Sequence, residues 1–323
     1  MMQKYNYLKN SSIRIHKKAL QTIRFLLFLL FIHLLPFSGC RTPQHEKEPS
    51  IAFLQGHGEC NEAELAPLLD TLAHHFSIDM GSIGLHAEEL NRYALVVIAR
   101  PITPFNDTEK YILDQYLMQG GALLWLTEGC KIDFDALLRD TRSVGIPNDI
   151  NISDLLFSYG LRINPDLLQK RSFRSDDRIV SVSPNDNPFL LHVTDNRKNR
   201  ASGLFFSSID FVGKHRDVQR KVLLKTEKET LQKELPTWIS FTGEQNQSAK
   251  SSGEFVVGAS VKGKFDSHYK YGMIPENIKQ SSPLTHSVEA GEIAVISSGT
   301  IVTDCNDKEN LQFLSTLICT MAR

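Results

Sequence analysis

Ile-Ala-Phe-Leu-Gln-Gly-His-Gly-Glu, residues 51–59, is the stretch that decides the fold class of this chain of 323 residues. A short apolar run ends in a glycine-rich turn, and a polar helix start follows at Asn61 and Glu62. This pattern predicts a first strand that ends at the carboxyl edge of an α/β sheet, where such folds bind their ligands. The turn brings two ionisable side chains, His57 and Glu59, to that edge.

Apolar runs alternate with amphipathic segments along most of the sequence. Continuous apolar runs are typical of strands that are covered on both faces, and three more follow the first: 94–99, 122–126 and 293–297. Asn106 and Glu109, followed by Gly120, predict a capped helix between the first two of these runs. Strands and helices that alternate in this way predict an α/β fold with a doubly wound, mainly parallel sheet.

Residues 213–280 interrupt the alternation. They are more polar and strand-like, and their best apolar run lies at 255–259. The alternation returns with the run at 293–297 and a helix over 308–321, so the last strand and helix are expected to rejoin the first sheet. We therefore expect an irregular β-rich insertion over 213–280.

The sequence before the first strand has the organisation of an export signal. Basic residues precede a short apolar core at 25–37, and Ser-Gly-Cys follows at 38–40. This order predicts a lipoprotein signal over 1–39, with lipid on Cys40 and a linker over 40–50. The alternative is an uncleaved signal anchor whose cations stay inside the cell. Both interpretations place residues 41–323 on the periplasmic side of the cell membrane, tethered through their N-terminal end.

Charge and motif spacing argue against several classes of ligand. The net charge is −1, but the cations of the signal mask an acidic remainder. Nucleic-acid affinity comes largely from Lys and Arg on phosphates, so no nucleic-acid partner is expected. No Cys or acidic spacing matches a metal site, and the turn at 56–58 is too short for a nucleotide fingerprint, so no cofactor is expected. The remaining cysteines could pair or stay free in an oxidising compartment: Cys60, Cys130, Cys305 and Cys319.

Two ionisable groups after the run at 122–126 add to the predicted edge. Glu128 and Cys130 leave the same end of the sheet as His57 and Glu59, so the four residues form a candidate edge for a ligand or a partner. The alternative is a periplasmic, amidotransferase-like hydrolase with Cys130 as nucleophile and His57 as base. A nucleophile elbow needs a small residue after the nucleophile, and Lys131 stands there. The purely structural interpretation of His57 and Glu59 is a tight turn whose polar groups cap the next helix.

Several segments together resemble the GldG family, the auxiliary, substrate-binding-like components of a gliding-motility ABC transporter. They are 51–64 (IAFLQGHGECNEAE), 113–128 (LDQYLMQGGALLWLTE), 149–168 (DINISDLLFSYGLRINPDLL) and 293–321. The resemblance implies a flavodoxin-like sheet, related to the class I glutamine-amidotransferase fold, without an established active site. It also implies a non-enzymatic, exported binding or scaffold domain that works beside a permease and a cytoplasmic ATPase.

The chain departs from this family in its architecture. Family members usually carry another domain before the GHGE strand, whereas here that strand begins soon after Cys40. They also commonly end in a membrane helix, and the last predicted helix contains Glu309 and Gln312 and is too short to span a bilayer. The sequence therefore predicts a shortened member that keeps the sheet domain.

Overall fold

The computed structural model describes residues 49–84, 87–140, 142–171, 187–195, 200–213, 217–240, 249–276, 278 and 283–323. All of them belong to one compact unit, Glu48–Arg323. The predicted signal or anchor over 1–39, the lipidation site Cys40 and nearly all of the linker lie outside these ranges. Among the helices that these ranges contain, none combines the length and the apolar character needed to cross a membrane.

The elements are as follows. The strands are β1 (Ser50–Leu54), β2 (Ser77–Gly81), β3 (Tyr93–Ala99), β4 (Ala122–Leu126), β5 (Cys130–Ile132), β6 (Arg142–Pro147), β7 (Leu161–Ile163), β8 (Asp166–Gln169), β9 (Leu190–Thr194), β10 (Arg200–Leu204), β11 (Ile209–Phe211), β12 (Val218–Lys225), β13 (Thr230–Glu234), β14 (Thr237–Ser240), β15 (Ser251–Gly253), β16 (Val256–Gly263) and β17 (Gly291–Ile296). The helices are α1 (Glu62–Leu72), α2 (Asp107–Met118), α3 (Phe134–Asp140), α4 (Ser153–Ser158), α5 (Thr300–Thr303) and α6 (Lys308–Met321), and a 3-10 helix covers Ala87–Arg92.

The main sheet has nine strands in the order β10-β9-β12-β16-β17-β4-β3-β1-β2. From β17 to β2 every neighbouring pair is parallel. From β10 to β17 every pair is antiparallel. The α/β class is therefore confirmed, whereas the expected mainly parallel sheet is a mixed one. The difference arises because four antiparallel strands extend the parallel half: β9 and β10, which precede residue 213, and β12 and β16, which lie within 213–280.

The five parallel strands position the site. Counted along the chain, their order is 2-1-3-4-5, with β17 as the fifth. As predicted from the apolar runs, β3 and β4 are covered on both faces. Alternate residues of β3 enter different cores, since Leu95 packs on one face and Val96 on the other. Each buried side chain of this size stabilises the fold by about 1.5–3 kcal/mol relative to exposure.

Helices cover both faces of the sheet. Helices α1 and α6 pack on the face that holds Leu95, through Leu65, Leu68 and Phe313 among others. Helices α2 and α4 pack on the opposite face through Ile112 and Leu155. The result is a three-layer arrangement in which the loops after β1, β3, β4 and β17 leave the same edge of the sheet.

Two capping boxes begin the helices that follow β1 and β3. The Asn61 side chain accepts from the backbone N–H of Glu64 at 3.1 Å, and the Glu64 carboxylate accepts from the N–H of Asn61 at 2.9 Å. Asn106 and Glu109 make the same pair of bonds at 3.0 and 2.8 Å. Both boxes satisfy backbone donors that a helix start would otherwise leave unpaired, and the predicted box at Asn106 is confirmed.

Candidate functional site

The turn after β1 depends on two glycines. Gly56 has φ +129° and Gly58 has φ +75°, backbone conformations that side chains with a Cβ rarely adopt. A Cβ on Gly58 would also lie 3.3 Å from the Cβ of Ile102. This backbone turns the ring of His57 into the protein, where the residue is only 6% exposed.

The buried His57 ring joins the β1 turn to the start of helix α2. Its Nε2 lies 3.0 Å from Oε2 of Glu109, the same oxygen that accepts from the backbone of Asn106. Its ring stacks on Phe105 with a centroid distance of 3.8 Å and an interplanar angle of 14°. Glu109 was not among the predicted site residues. The only sequence signal for it was its position in the capping box.

Glu59 completes a compact cluster with His57. Its Oε2 accepts from the backbone N–H of His57 at 2.7 Å. Its Oε1 lies 3.3 Å from Nδ1 of His57, but the angles do not allow a hydrogen bond, and neither atom has another hydrogen-bond partner among the described residues. The structure therefore brings two of the predicted site residues together, as a buried arrangement of one imidazole and two carboxylates.

Backbone hydrogen bonds close the crevice between the loops after β1 and β3. The carbonyl of His57 accepts from the N–H groups of Ile102 and Thr103 at 2.7 and 2.9 Å. The N–H of Cys60 donates to the carbonyl of Ala99 at 2.9 Å. In sheets of order 2-1-3-4-5, ligands bind at this switch point between β1 and β3. Here the two loops form one continuous surface, from which Ile102 projects with 58% of its area exposed.

Glu128 belongs to a second cluster at the same edge, with Arg100 from the end of β3. Nε of Arg100 donates to Oε1 of Glu128 at 3.0 Å. Burial raises the pKa of the Glu128 carboxyl above its ordinary value, and the Arg100 guanidinium opposes that rise. Gly299, after β17, leaves room for the pair, because a Cβ there would lie 2.6 Å from Cγ of Arg100. The Arg100 side chain remains 43% exposed, so this cluster presents a cation to solvent.

Cys130 lies apart from both clusters. It belongs to strand β5 of a small sheet of order β14-β6-β5, and not to a strand-to-helix turn as the hydrolase hypothesis required. Its thiol packs in an apolar cluster with Leu137 and Ile239. Burial raises the pKa of the Cys130 thiol to about 12. Because the thiolate is the nucleophilic form, this position disfavours covalent chemistry near neutral pH. In the described part of the chain, the polar contacts of the His57 ring run to Glu59 and Glu109 and not to Cys130.

The cysteines and the acidic residues form no inorganic site in the ranges that the structure describes. Cys60, Cys130 and Cys305 are buried free thiols, and Cys319 is a half-buried one. No group of three or more His, Cys, Asp or Glu side chains there has an arrangement that could hold a metal ion.

Fold and site together define a three-layer α/β domain with its clustered ionisable residues at the carboxyl edge of a mixed sheet. The chain belongs to the auxiliary family described as an ABC-type uncharacterized transport system, whose profile matches residues 48–316. The expected membership of an ABC-transporter auxiliary family is therefore confirmed. No curated protein matches the chain significantly.

Two solved structures are similar to this chain. The "mmIFT52 N-terminal domain" has 16% sequence identity and a TM-score of 0.51, over 85% of this chain and 98% of that one. At this identity the likeness shows a shared fold and nothing further. A putative ThuA-like protein from Bacteroides uniformis has 10% identity over 84% of this chain and 90% of that one, with a TM-score of 0.37. That second likeness is too distant to support an argument.

Proposed function

We propose that this protein is a non-enzymatic binding or scaffold component of its ABC-type transport system, and that the system is of the gliding-motility (GldG) type. The observation that carries the proposal is the closed crevice between the loops after β1 and β3. A switch point bridged by three backbone hydrogen bonds offers a continuous surface for recognition. The likeness of residues 51–64 and 149–168 to the GldG family supports the type of system.

We propose that the fold is flavodoxin-like. Its support is the order 2-1-3-4-5 of the parallel strands, which is the order of flavodoxin-like sheets. The antiparallel strands from β16 to β10 extend that sheet on the far side of β17. We propose that residues 213–280 are a β-rich insertion and that residues 51–323 form one auxiliary domain.

The proposed location is the periplasmic side of the cell membrane, with a tether through lipid on Cys40 or through an uncleaved anchor. Its support is the basic region, the apolar core at 25–37 and the Ser-Gly-Cys at 38–40. Mass spectrometry of the membrane-extracted protein tests it. A mature chain that starts with lipidated Cys40 supports the lipoprotein form, and an intact segment over 1–39 supports the anchor.

The proposed partners are the permease and, through it, the ATPase of the same system. In the contact surface, Ile102 and Arg100 are the exposed members, and the buried cluster of His57, Glu59 and Glu109 fixes the loops that carry them. An apolar side chain beside a cation, on loops that are already ordered, lowers the entropic cost of binding. Glu128 holds the Arg100 side chain in place, and Cys130 is buried in the separate small sheet.

Photo-crosslinking in intact cells tests the contact surface. A photoreactive amino acid at position 102 should crosslink to a permease, whereas one at His74, exposed beyond the far end of helix α1, should not. Crosslinks from position 102 only to outer-membrane or soluble proteins would remove the transporter role. The hydrolase alternative has no supporting observation, and Cys130→Ala should leave any hydrolytic turnover of the purified protein unchanged.

A further inference from the structure

The loop between β16 and β17 exposes an apolar tip. Tyr271 is 91% exposed, Met273 is 94% exposed and Ile274 is 40% exposed, and the three lie within four residues of one another. Single exposed apolar residues are ordinary, but a group of this kind marks an interaction site. Tyr and Met are also residue types that protein interfaces favour. We call these three residues the apolar tip.

The base of the loop is fixed to helix α2 through a buried carboxylate. Asp114, which has no exposed surface, accepts from Oγ of Ser267 at 2.7 Å and from the backbone N–H of His268 at 2.8 Å. The hydroxyl of Tyr269 donates to the carbonyl of Asp107 at 3.1 Å, and the Tyr269 ring packs edge-on against Tyr111. The residues next to the apolar tip are therefore ordered before any partner arrives, which reduces the entropy lost on binding.

The same contacts place the base of the tip beside the carboxyl edge of the sheet. Asp107 is the first residue of α2. It lies between the two capping-box residues, Asn106 and Glu109, and Glu109 contacts the ring of His57. Tyr269, bonded to Asp107, stands two residues before Tyr271. The loop thus approaches the same end of α2 that supports the proposed contact surface around Ile102, and the two surfaces belong to one side of the molecule.

The charges near the tip indicate what would cover it. Four exposed or half-exposed acidic side chains lie around it in the part of the chain that the structure describes: Asp107, Asp154, Asp266 and Glu276. Among the described residues, the lysines that pair with these acids are less exposed than the acids, since Lys110 and Lys270 are 3% and 20% exposed and the three aspartates are 49–78% exposed. The ammonium of Lys270 also lies 5.1 Å from the centroid of the Tyr271 ring. Lys110 is buried 2.6 Å from Asp154, and Asp266 lies 3.1 Å from Lys270 and 2.6 Å from His286. An anionic bilayer or a second copy of the same acidic face would be repelled, whereas a basic rim would be attracted.

We propose that the apolar tip is an anchor that inserts into an apolar pocket with a rim of Lys and Arg on the permease of this transport system. The naming of the permease rests on the proposed function, and the chemistry of the pocket rests on the tip and its acidic surroundings. A buried aromatic or Met side chain at the centre, with opposite charges around it, is the usual anatomy of a strong protein–protein contact.

A substitution in the full-length, membrane-extracted protein tests the anchor. Met273→Asp places a charge where the pocket needs an apolar group. The amount of permease that co-purifies with this variant should fall by about ten-fold or more. Leu138→Asp is the matched control, because Leu138 is 63% exposed on α3, and it should leave co-purification unchanged. High salt should also weaken the wild-type complex, since it screens the rim charges. Circular dichroism confirms that both variants are folded.

Crosslinking from position 273 separates this inference from the proposed function. Crosslinks from 273 and from 102 to the same permease support both. Crosslinks from 102 alone, or unchanged co-purification of Met273→Asp, overturn the anchor and leave the transporter role intact. Crosslinks to a permease from neither position overturn both. The wild type can also be tested on vesicles of phosphatidylglycerol and phosphatidylethanolamine. If it binds them and Met273→Asp abolishes this binding, the tip inserts into a bilayer and the proposed anchor is overturned.

Discussion

At the scale of the residue, His57 is the side chain on which the carboxyl edge depends. His57→Ala removes the contact with Glu109 and the stack on Phe105, and it leaves a cavity behind the turn. We expect a loss of about 2–3 kcal/mol in the free energy of unfolding, measured by urea denaturation. The control is His74→Ala, at an exposed histidine, which should change it by about 0.5 kcal/mol or less. Equal effects of the two substitutions would contradict a structural role for His57.

The thiols differ in accessibility, and this gives a second prediction at the same scale. Burial raises the pKa of Cys60 to about 11 and the pKa values of Cys130 and Cys305 to about 12, whereas Cys319 is partly exposed. Because only thiolates are alkylated rapidly, we expect iodoacetamide at mildly alkaline pH to label Cys319 first. The buried thiols should react only after denaturation. Peptide mass spectrometry of the native protein measures this order, and rapid labelling of Cys130 would revive the hydrolase hypothesis.

The sequence predicted part of this site, and the residue scale shows which part. His57 and Glu59 were expected together because their proximity is local, within one turn. Glu109 was missed as a site residue because it lies 52 positions from His57, and only the folded sheet brings β1 and α2 to the same place. The strand that contains Cys130 was not predicted, for a similar reason. Strand β5 exists only because β6 pairs with it, and its own three residues carry too little pattern to predict a strand.

At the scale of the element, the two capping boxes are a matched pair that isolates the His57 contact. Glu64→Ala removes one bond, to the N–H of Asn61, whereas Glu109→Ala removes the equivalent bond and the contact with His57. We expect a destabilisation of about 1 kcal/mol for Glu64→Ala and about 2 kcal/mol for Glu109→Ala. A double-mutant cycle of Glu109→Ala with His57→Ala should show coupling of about 0.5–1.5 kcal/mol. Equal losses and no coupling would contradict the link.

The stability that Asp114 contributes by joining helix α2 to the loop before β17 should depend on pH. Burial raises the pKa of the Asp114 carboxyl in the folded state, although Tyr159, Ser267 and His268 donate hydrogen bonds to it. A raised folded pKa means that the contribution to stability is complete below the unfolded pKa, about 4, and is lost as the pH rises through the folded value. The stability advantage of the wild type over Asp114→Asn should therefore be largest below about pH 4 and should shrink as the pH rises above it. Urea denaturation over a series of pH values measures it, and an advantage that grows with pH would show the opposite shift.

A strand could be predicted from the sequence where its own residues form a clear apolar pattern. The runs of β3, β4 and β17 are apolar on both faces, so they could be recognised without their partners. Strand β12 could not, because most of its residues are polar or partly exposed and only Leu223 and Leu224 are buried. Its place in the sheet follows from its long antiparallel pairing with β16, a non-local contact that no local pattern of the sequence reveals.

At the scale of the whole molecule, the two cores share every central strand, so they should unfold together. Leu123 and Leu124 are neighbours in β4, but they enter opposite cores. Leu123→Ala and Leu124→Ala should each destabilise the protein by about 2–5 kcal/mol and keep a single transition. Fluorescence of the buried Trp125 and far-UV circular dichroism should give the same midpoint. Trp238 is largely exposed, so Trp238→Phe should leave most of the fluorescence change intact. Two separate transitions would show that the faces unfold independently.

The placement of β1 has a mechanical consequence. Strand β1 is paired with a parallel neighbour on each side, β2 and β3, and the chain enters it at Ser50. A pull from a tether on the N-terminal side, resisted by a partner at the carboxyl edge, would run along the axis of β1. The hydrogen bonds that join β1 to β2 and to β3 would then be loaded in shear together, because none of them could open before its neighbours. Unfolding under such a force is governed by the rate of rupture, so β1 is oriented to resist a pull applied at Ser50 without unravelling.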